Sequence, residues 1–142
     1  MTMINVGVDF AGAKQAAEAM RNPAPIGVYD LRVVEVLEKD ENGEPLKTKK
    51  GNPMFIAIVE IFNSPAKELN GKKFRHYVMT PTSGNLSVAG FLVDFAEACG
   101  RPWNGATFDP QSCLGASFKA NVGISAPREE GKTGFNNIDS FI

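Results

Sequence analysis

The alternation of apolar and polar positions divides the chain into a lead-in and a body. In the lead-in, Ala11-Gly12-Ala13-Lys14-Gln15-Ala16-Ala17-Glu18-Ala19-Met20 is rich in alanine and predicts a short helix. Asn22-Pro23-Ala24-Pro25 ends it, because each proline pushes the residue before it out of the helical region. The body begins at Ile26. Across Tyr29-Asp30-Leu31-Arg32-Val33 the odd positions are apolar, which is the period of a strand, and at Val34-Glu35-Val36 the phase flips. A phase change inside one strand predicts a bulge, which bends the strand so that it can serve two parts of a closed sheet.

Asp40-Glu41-Asn42-Gly43 marks a turn, and polar sequence continues to Asn52-Pro53. Met54 to Phe62 predicts a second strand, apolar on both faces except at Glu60. Ser64-Pro65 and Asn70-Gly71 bracket the connection to a third, Phe74 to Met79. There Phe74, His76 and Val78 share one face, and Arg75, Tyr77 and Met79 the other. A helix follows, capped by Ser83 or Asn85 and ended by Gly100 with Pro102. Val88, Phe91, Leu92, Phe95 and Cys99 recur at helical spacing, so both Phe91 and Phe95 are expected in the core. Two last strands, Ala116 to Ile124 and Gly134 to Phe141, flank the polar turn Arg128-Glu129-Glu130-Gly131-Lys132. The expected architecture is mainly β, with an N-terminal arm (1–25) ahead of one domain (26–142). Three strands, a helix and two strands fit the five-stranded OB barrel; an SH3-like barrel or an open α+β sheet also accommodates them.

Composition narrows the function more than the fold. At 142 residues, 43% hydrophobic and 22% charged, the chain is an ordinary globular domain large enough to bury its own core. No apolar run approaches the ~20 residues that span a bilayer. The first residues lack a basic, then apolar, leader, so no membrane association and a cytoplasmic location are expected. One histidine and two cysteines, without C-x-x-C or H-x-x-x-H spacing, predict neither a metal site nor a cofactor. No phosphate-cradling loop or nucleophile elbow is present, and a histidine-dependent catalyst would have to use His76, inside a strand. The chain is not expected to be an enzyme.

Net charge is −1, but it is unevenly spread. From Lys47 to Arg75 seven bases face only two acids, Glu60 and Glu68. The bases fall on the loop between strands one and two (Lys47, Lys49, Lys50) and at the start of strand three (Lys72, Lys73, Arg75). The loop between strands four and five adds Arg128 and Lys132, partly cancelled by Glu129 and Glu130. These are the places an OB barrel uses for oligonucleotides. Single-strand binding needs cations for phosphate and aromatic faces for bases, and Tyr77 and Phe55 are the candidate stacking residues. Phe55, Phe62 and Phe74 read more readily as barrel core, because Phe is usually buried, and Trp103 could seal the bottom of the barrel. The rival reading is a small barrel that binds a replication or host protein, its lysines serving only solubility.

The run Lys49-Lys50-Gly51-Asn52-Pro53-Met54, opening an apolar strand after Gly27-Val28-Tyr29 and a bulged strand, resembles a bacteriophage family encoded in replication and recombination clusters. Val8-Asp9-Phe10, Asn70-Gly71-Lys72-Lys73, Cys99-Gly100, Leu114-Gly115 and Asn136-Asn137-Ile138 extend the resemblance from about Val8 onward. It implies an OB-like fold and a single-stranded DNA-binding protein of the host cytoplasm. Phage or host replication and recombination proteins are its implied company, a homo-oligomer is compatible with it, and it carries over no catalytic residue. Many single-strand binding proteins end in an acidic tail with a terminal aromatic. Asn137-Ile138-Asp139-Ser140-Phe141-Ile142 holds one carboxylate side chain and reads instead as the last strand.

Overall fold

The computed structural model describes residues 3–5, 7–82, 84–103, 105–126 and 134–142. Helix α1 (Phe10–Arg21) precedes β1 (Gly27–Leu37), β2 (Met54–Phe62) and β3 (Lys73–Met79); α2 (Ala89–Ala98) then leads to β4 (Ser117–Ser125) and β5 (Phe135–Phe141). The fold is mainly β: a five-stranded antiparallel open sheet in the order β3-β2-β1-β4-β5. β1 is the hinge of this arrangement, pairing with β2 on one side and β4 on the other. Its register to β2 slips between Val33 and Glu35, where the sequence pattern changes phase. The extra residue lets Leu31 and Val33 before the bulge and Val36 after it all reach the core.

Phe95 of α2 lies at the centre of that core. Its ring is 5.8 Å from Phe55, 5.5 Å from His76, 6.2 Å from Phe118 and 6.3 Å from Phe141, centroid to centroid. Val88, Leu92, Ala96 and Cys99 complete the buried arc of the helix region. Phe91 was expected beside them and is instead 52% exposed. It lies one turn before Phe95, on the border of the arc, where the helix meets the gap between β3 and β5. Capping also departs from expectation. Ser83 lies outside the described residues, and Asn85 makes no side-chain cap but donates to Asn52 Oδ1 at 3.1 Å. Gly100, at φ 69°, ends the helix in the left-handed conformation expected of a glycine there.

Two junctions matter for the site. The residues before β1 are pinned by buried Asn136, whose amide bonds both main-chain groups of Ala24: Ala24 N donates to Oδ1 at 2.8 Å, and Nδ2 donates to Ala24 O at 2.9 Å. The other junction is the pair of sheet edges. β3 and β5 share no hydrogen-bond ladder, but the His76 and Phe141 rings meet edge-on between them at 5.7 Å. Among the described residues no helix is long and apolar enough to cross a membrane.

Candidate nucleic-acid interface

The outward face of β3 carries the clearest chemistry. Strand parity turns Phe74, His76 and Val78 toward the core, leaving Lys73, Arg75 and Tyr77 exposed, with Tyr77 at 43%. Pairing extends these into rows across the sheet. Tyr77 stands opposite Ile56, which stands opposite Leu37; Arg75 opposite Ile58, then Glu35; Lys73 opposite Glu60, then Arg32. The middle of this face is thus aliphatic and its β3 margin basic.

The β1–β2 loop folds as two successive tight turns. In the first, Asp40 Oδ1 accepts from Asn42 N at 2.9 Å and Glu44 N at 3.0 Å. In the second, Thr48 N donates to Asn52 O at 2.8 Å, Asn52 N donates to Thr48 Oγ1 at 3.1 Å, and Gly51 supplies the φ of 85° that closes it. Lys49 and Lys50 are exposed at this second tip, and Lys47 is exposed just before it. The first turn carries Asp40, Glu41 and Glu44, so the basic footprint is confined to the second. A cavity of about 400 Å³ between the loop and the sheet is lined by Leu37, Leu46, Ile56 and Arg75, among others. This cover explains why Ile56 is buried although its parity points outward.

Charge on the face is partitioned. Arg32 approaches Glu60 at 3.7 Å and stacks over Phe62 at 5.1 Å, and Lys119 approaches Asp30 at 3.9 Å. Among the described residues, Lys47, Lys49, Lys50, Lys73 and Arg75 enter no ion pair. The β1–β4 half is therefore locally neutralised, and the β3 half with the second turn is left cationic.

Packing bears on two expected contacts. Phe55 is 2% exposed, with its ring 5.8 Å from Phe95 and 6.3 Å from Phe108, so it has no free face for a base. Its parity is that of Ala57 and Val59, the inward row of β2. Lys72 is largely buried ahead of β3, where its main chain bonds Ile61 and Leu69 and burial lowers its pKa, yet it lines the same cleft as Lys73 and Arg75. Arg128 and Lys132 lie outside the described residues. Trp103 packs against Phe108 at 5.5 Å, beneath the core.

A residue not anticipated joins the site. Phe135, at the start of β5, is 42% exposed and lines a cleft of about 250 Å³ with Lys73, Arg75 and Tyr77. Exposed Tyr77 and Phe135, half-buried Phe74, and three cations, Lys72, Lys73 and Arg75, thus border one small cleft. Alternation did not carry the signal: apolar Phe135 beside polar Asn136 reads as inward, whereas the structure buries Asn136 and turns Phe135 out.

The remaining reactive groups are enclosed by packing. His76 is largely enclosed between Phe95 and Phe141, and burial pushes its pKa down to about 4, so it is neutral at physiological pH. Cys99 and Cys113 are buried free thiols; the hydrogen bond between them, with burial, holds Cys99 well above the usual thiol range. Among the described residues no group of three His, Cys, Asp or Glu side chains could hold a metal ion. No protein-family model matches the chain, and no curated protein matches it.

Proposed function

We propose that this chain binds single-stranded DNA with little sequence preference, on the outer margin of β3, as a phage-type protein of replication or recombination. The observation that carries the reading is the cleft in which Tyr77 and Phe135 stand beside Lys73 and Arg75. An unstacked base presents a flat face to such rings, whereas a base inside a duplex does not. Phosphates follow the cations from Lys73 and Arg75 to the Lys49-Lys50 turn, an electrostatic track indifferent to sequence. The strand order supports an OB-like reading: β3-β2-β1-β4-β5, with a helix between β3 and β4, is the order expected of such a barrel left open between β3 and β5. The β2–β3 face and the two flanking loops are then the oligonucleotide surface of that fold.

Fluorescence anisotropy with a labelled oligothymidine tests the reading. Tyr77→Ala should lose about 1–3 kcal/mol of affinity, the value of one stacked base, while Tyr77→Phe should keep most of it. Unlabelled duplex should compete poorly. Failure of the wild-type chain to bind at low salt, or equal affinity of a folded Tyr77→Ala, refutes the proposal and leaves the protein-binding reading of the barrel.

A further inference from the structure

The basic margin of β3 continues past the end of the strand onto a loop, and the direction of that loop has a definable cause. β2 begins where β3 ends: Met54 pairs with Met79, and Thr80 N donates to Pro53 O at 3.0 Å. The second turn of the β1–β2 loop therefore stands just beyond Tyr77 and Met79, with Lys49 and Lys50 exposed at its tip. Its own bonds are local. Thr48 N donates to Asn52 O, Asn52 N to Thr48 Oγ1, and Gly51 N to Thr48 O at 2.9 Å. Such bonds shape a turn without fixing where it points relative to the sheet.

A bond that does fix the direction comes from a different element. In the connection between β3 and α2, Asn85 Nδ2 donates to Asn52 Oδ1 at 3.1 Å, across 33 residues of sequence, and both side chains are half-buried. The Asn85 amide is itself held. Ser87 Oγ donates to its Oδ1 at 2.7 Å, which leaves Nδ2 aimed at Asn52, and Asn85 N donates to Thr82 O at 3.0 Å. Three residues on, buried Val88 seats the connection against the core. Both partners of the brace are uncharged, so it holds the turn without neutralising Lys49 or Lys50, as an acid in either place would.

We infer that Asn85 is a positioning residue of the interface: through Asn52 it holds the Lys49-Lys50 turn in line with β3, so that both lysines meet phosphate from a preformed place. The inference rests on the single-strand reading above and names a residue outside the cationic and aromatic set. Ordering the main chain of one loop residue costs on the order of tenfold in an equilibrium constant, a cost that a braced turn avoids. Without the brace the turn keeps its charges and loses their alignment with Lys73, Arg75 and Tyr77.

Hydrogen exchange on the free chain, together with salt titrations of oligothymidine binding, tests this. Asn85→Ala should speed exchange at the Gly51 amide at least fivefold and weaken binding about tenfold at low salt. Thermal melts establish that the variant is folded, and Asn52→Ala, which removes the same bond from the other side, carries the test if it is not. The decisive comparison is a cycle. Lys49→Ala with Lys50→Ala should flatten the salt slope by about 1.4 in the wild-type chain, and by less than half as much in the Asn85→Ala chain. A residue that served stability alone would leave that difference untouched. Unchanged exchange at Gly51, wild-type affinity in the folded variant, or an equal effect of the lysine substitutions in both backgrounds overturns the inference while single-strand binding stands. A wild-type chain that does not bind oligothymidine overturns the functional reading and this inference with it.

Discussion

His76 gives the structure a dependence on pH that can be worked through in advance. Its ring is held between Phe95 and Phe141, where burial lowers its pKa from 6.5 to about 4. The unfolded chain therefore binds a proton between those values that the folded chain does not. Stability from this group is fully present above pH 6.5 and drains away as pH falls toward 4. At 1.36 kcal/mol per pK unit, the loss by pH 4 is about 3 kcal/mol, a large part of the roughly 5–15 kcal/mol that holds a domain together. Replacing His76 by Leu, close in volume and unable to titrate, removes this term. Urea unfolding at several pH values between 7 and 4, on both proteins, separates it from the carboxylates common to both. The wild-type curve should fall below that of His76→Leu by about 1.4 kcal/mol for each pH unit under 6.5. Parallel curves would mean that His76 is protonated within the fold, and the enclosed, neutral ring described above would be wrong.

The contrast along α2 yields a second expectation: Phe95→Ala should cost about 3–5 kcal/mol, whereas Phe91→Ala should stay within about 1 kcal/mol, both read from denaturant midpoints. Asn136→Ala removes both bonds to Ala24 and a third, from Nδ2 to Gly123 O at 3.2 Å. It should destabilise the protein by about 2–4 kcal/mol and speed hydrogen exchange at the Ala24 amide; an unchanged exchange rate there would show that the lead-in is held by something else.

β1 and β3 were legible because each has one buried face and therefore a period. The bulge was legible for the same reason, since Val33 and Val36 can both be buried only if the register slips between them. Parity did not resolve β2. Phe55, Ile56 and Ala57 are consecutive and all buried, because the core covers one face and the β1–β2 loop the other. An aromatic residue there reads equally well as core or as platform. Lys72 differs from Lys73 in exposure rather than in place: the tight connection bonded to Ile61 and Leu69 buries most of it, while it still lines the cleft. Phe91 shows the limit of helical spacing, which ranks residues around a helix without saying how wide the covered arc is. The convergence of Tyr77 with Phe135, from strands far apart in sequence, depends on the sheet order and could not be read from local pattern.

The salt dependence of single-strand affinity tests the central claim most directly. With Lys47, Lys49, Lys50, Lys73 and Arg75 on phosphate, the logarithm of affinity should fall against the logarithm of salt concentration with a slope of about −3.5, or −0.7 per contact. Lys49→Ala with Lys50→Ala should flatten that slope by about 1.4 while leaving thermal stability unchanged. A slope near zero, or one that the double substitution does not alter, would contradict the account and return those lysines to the role of a solvated turn.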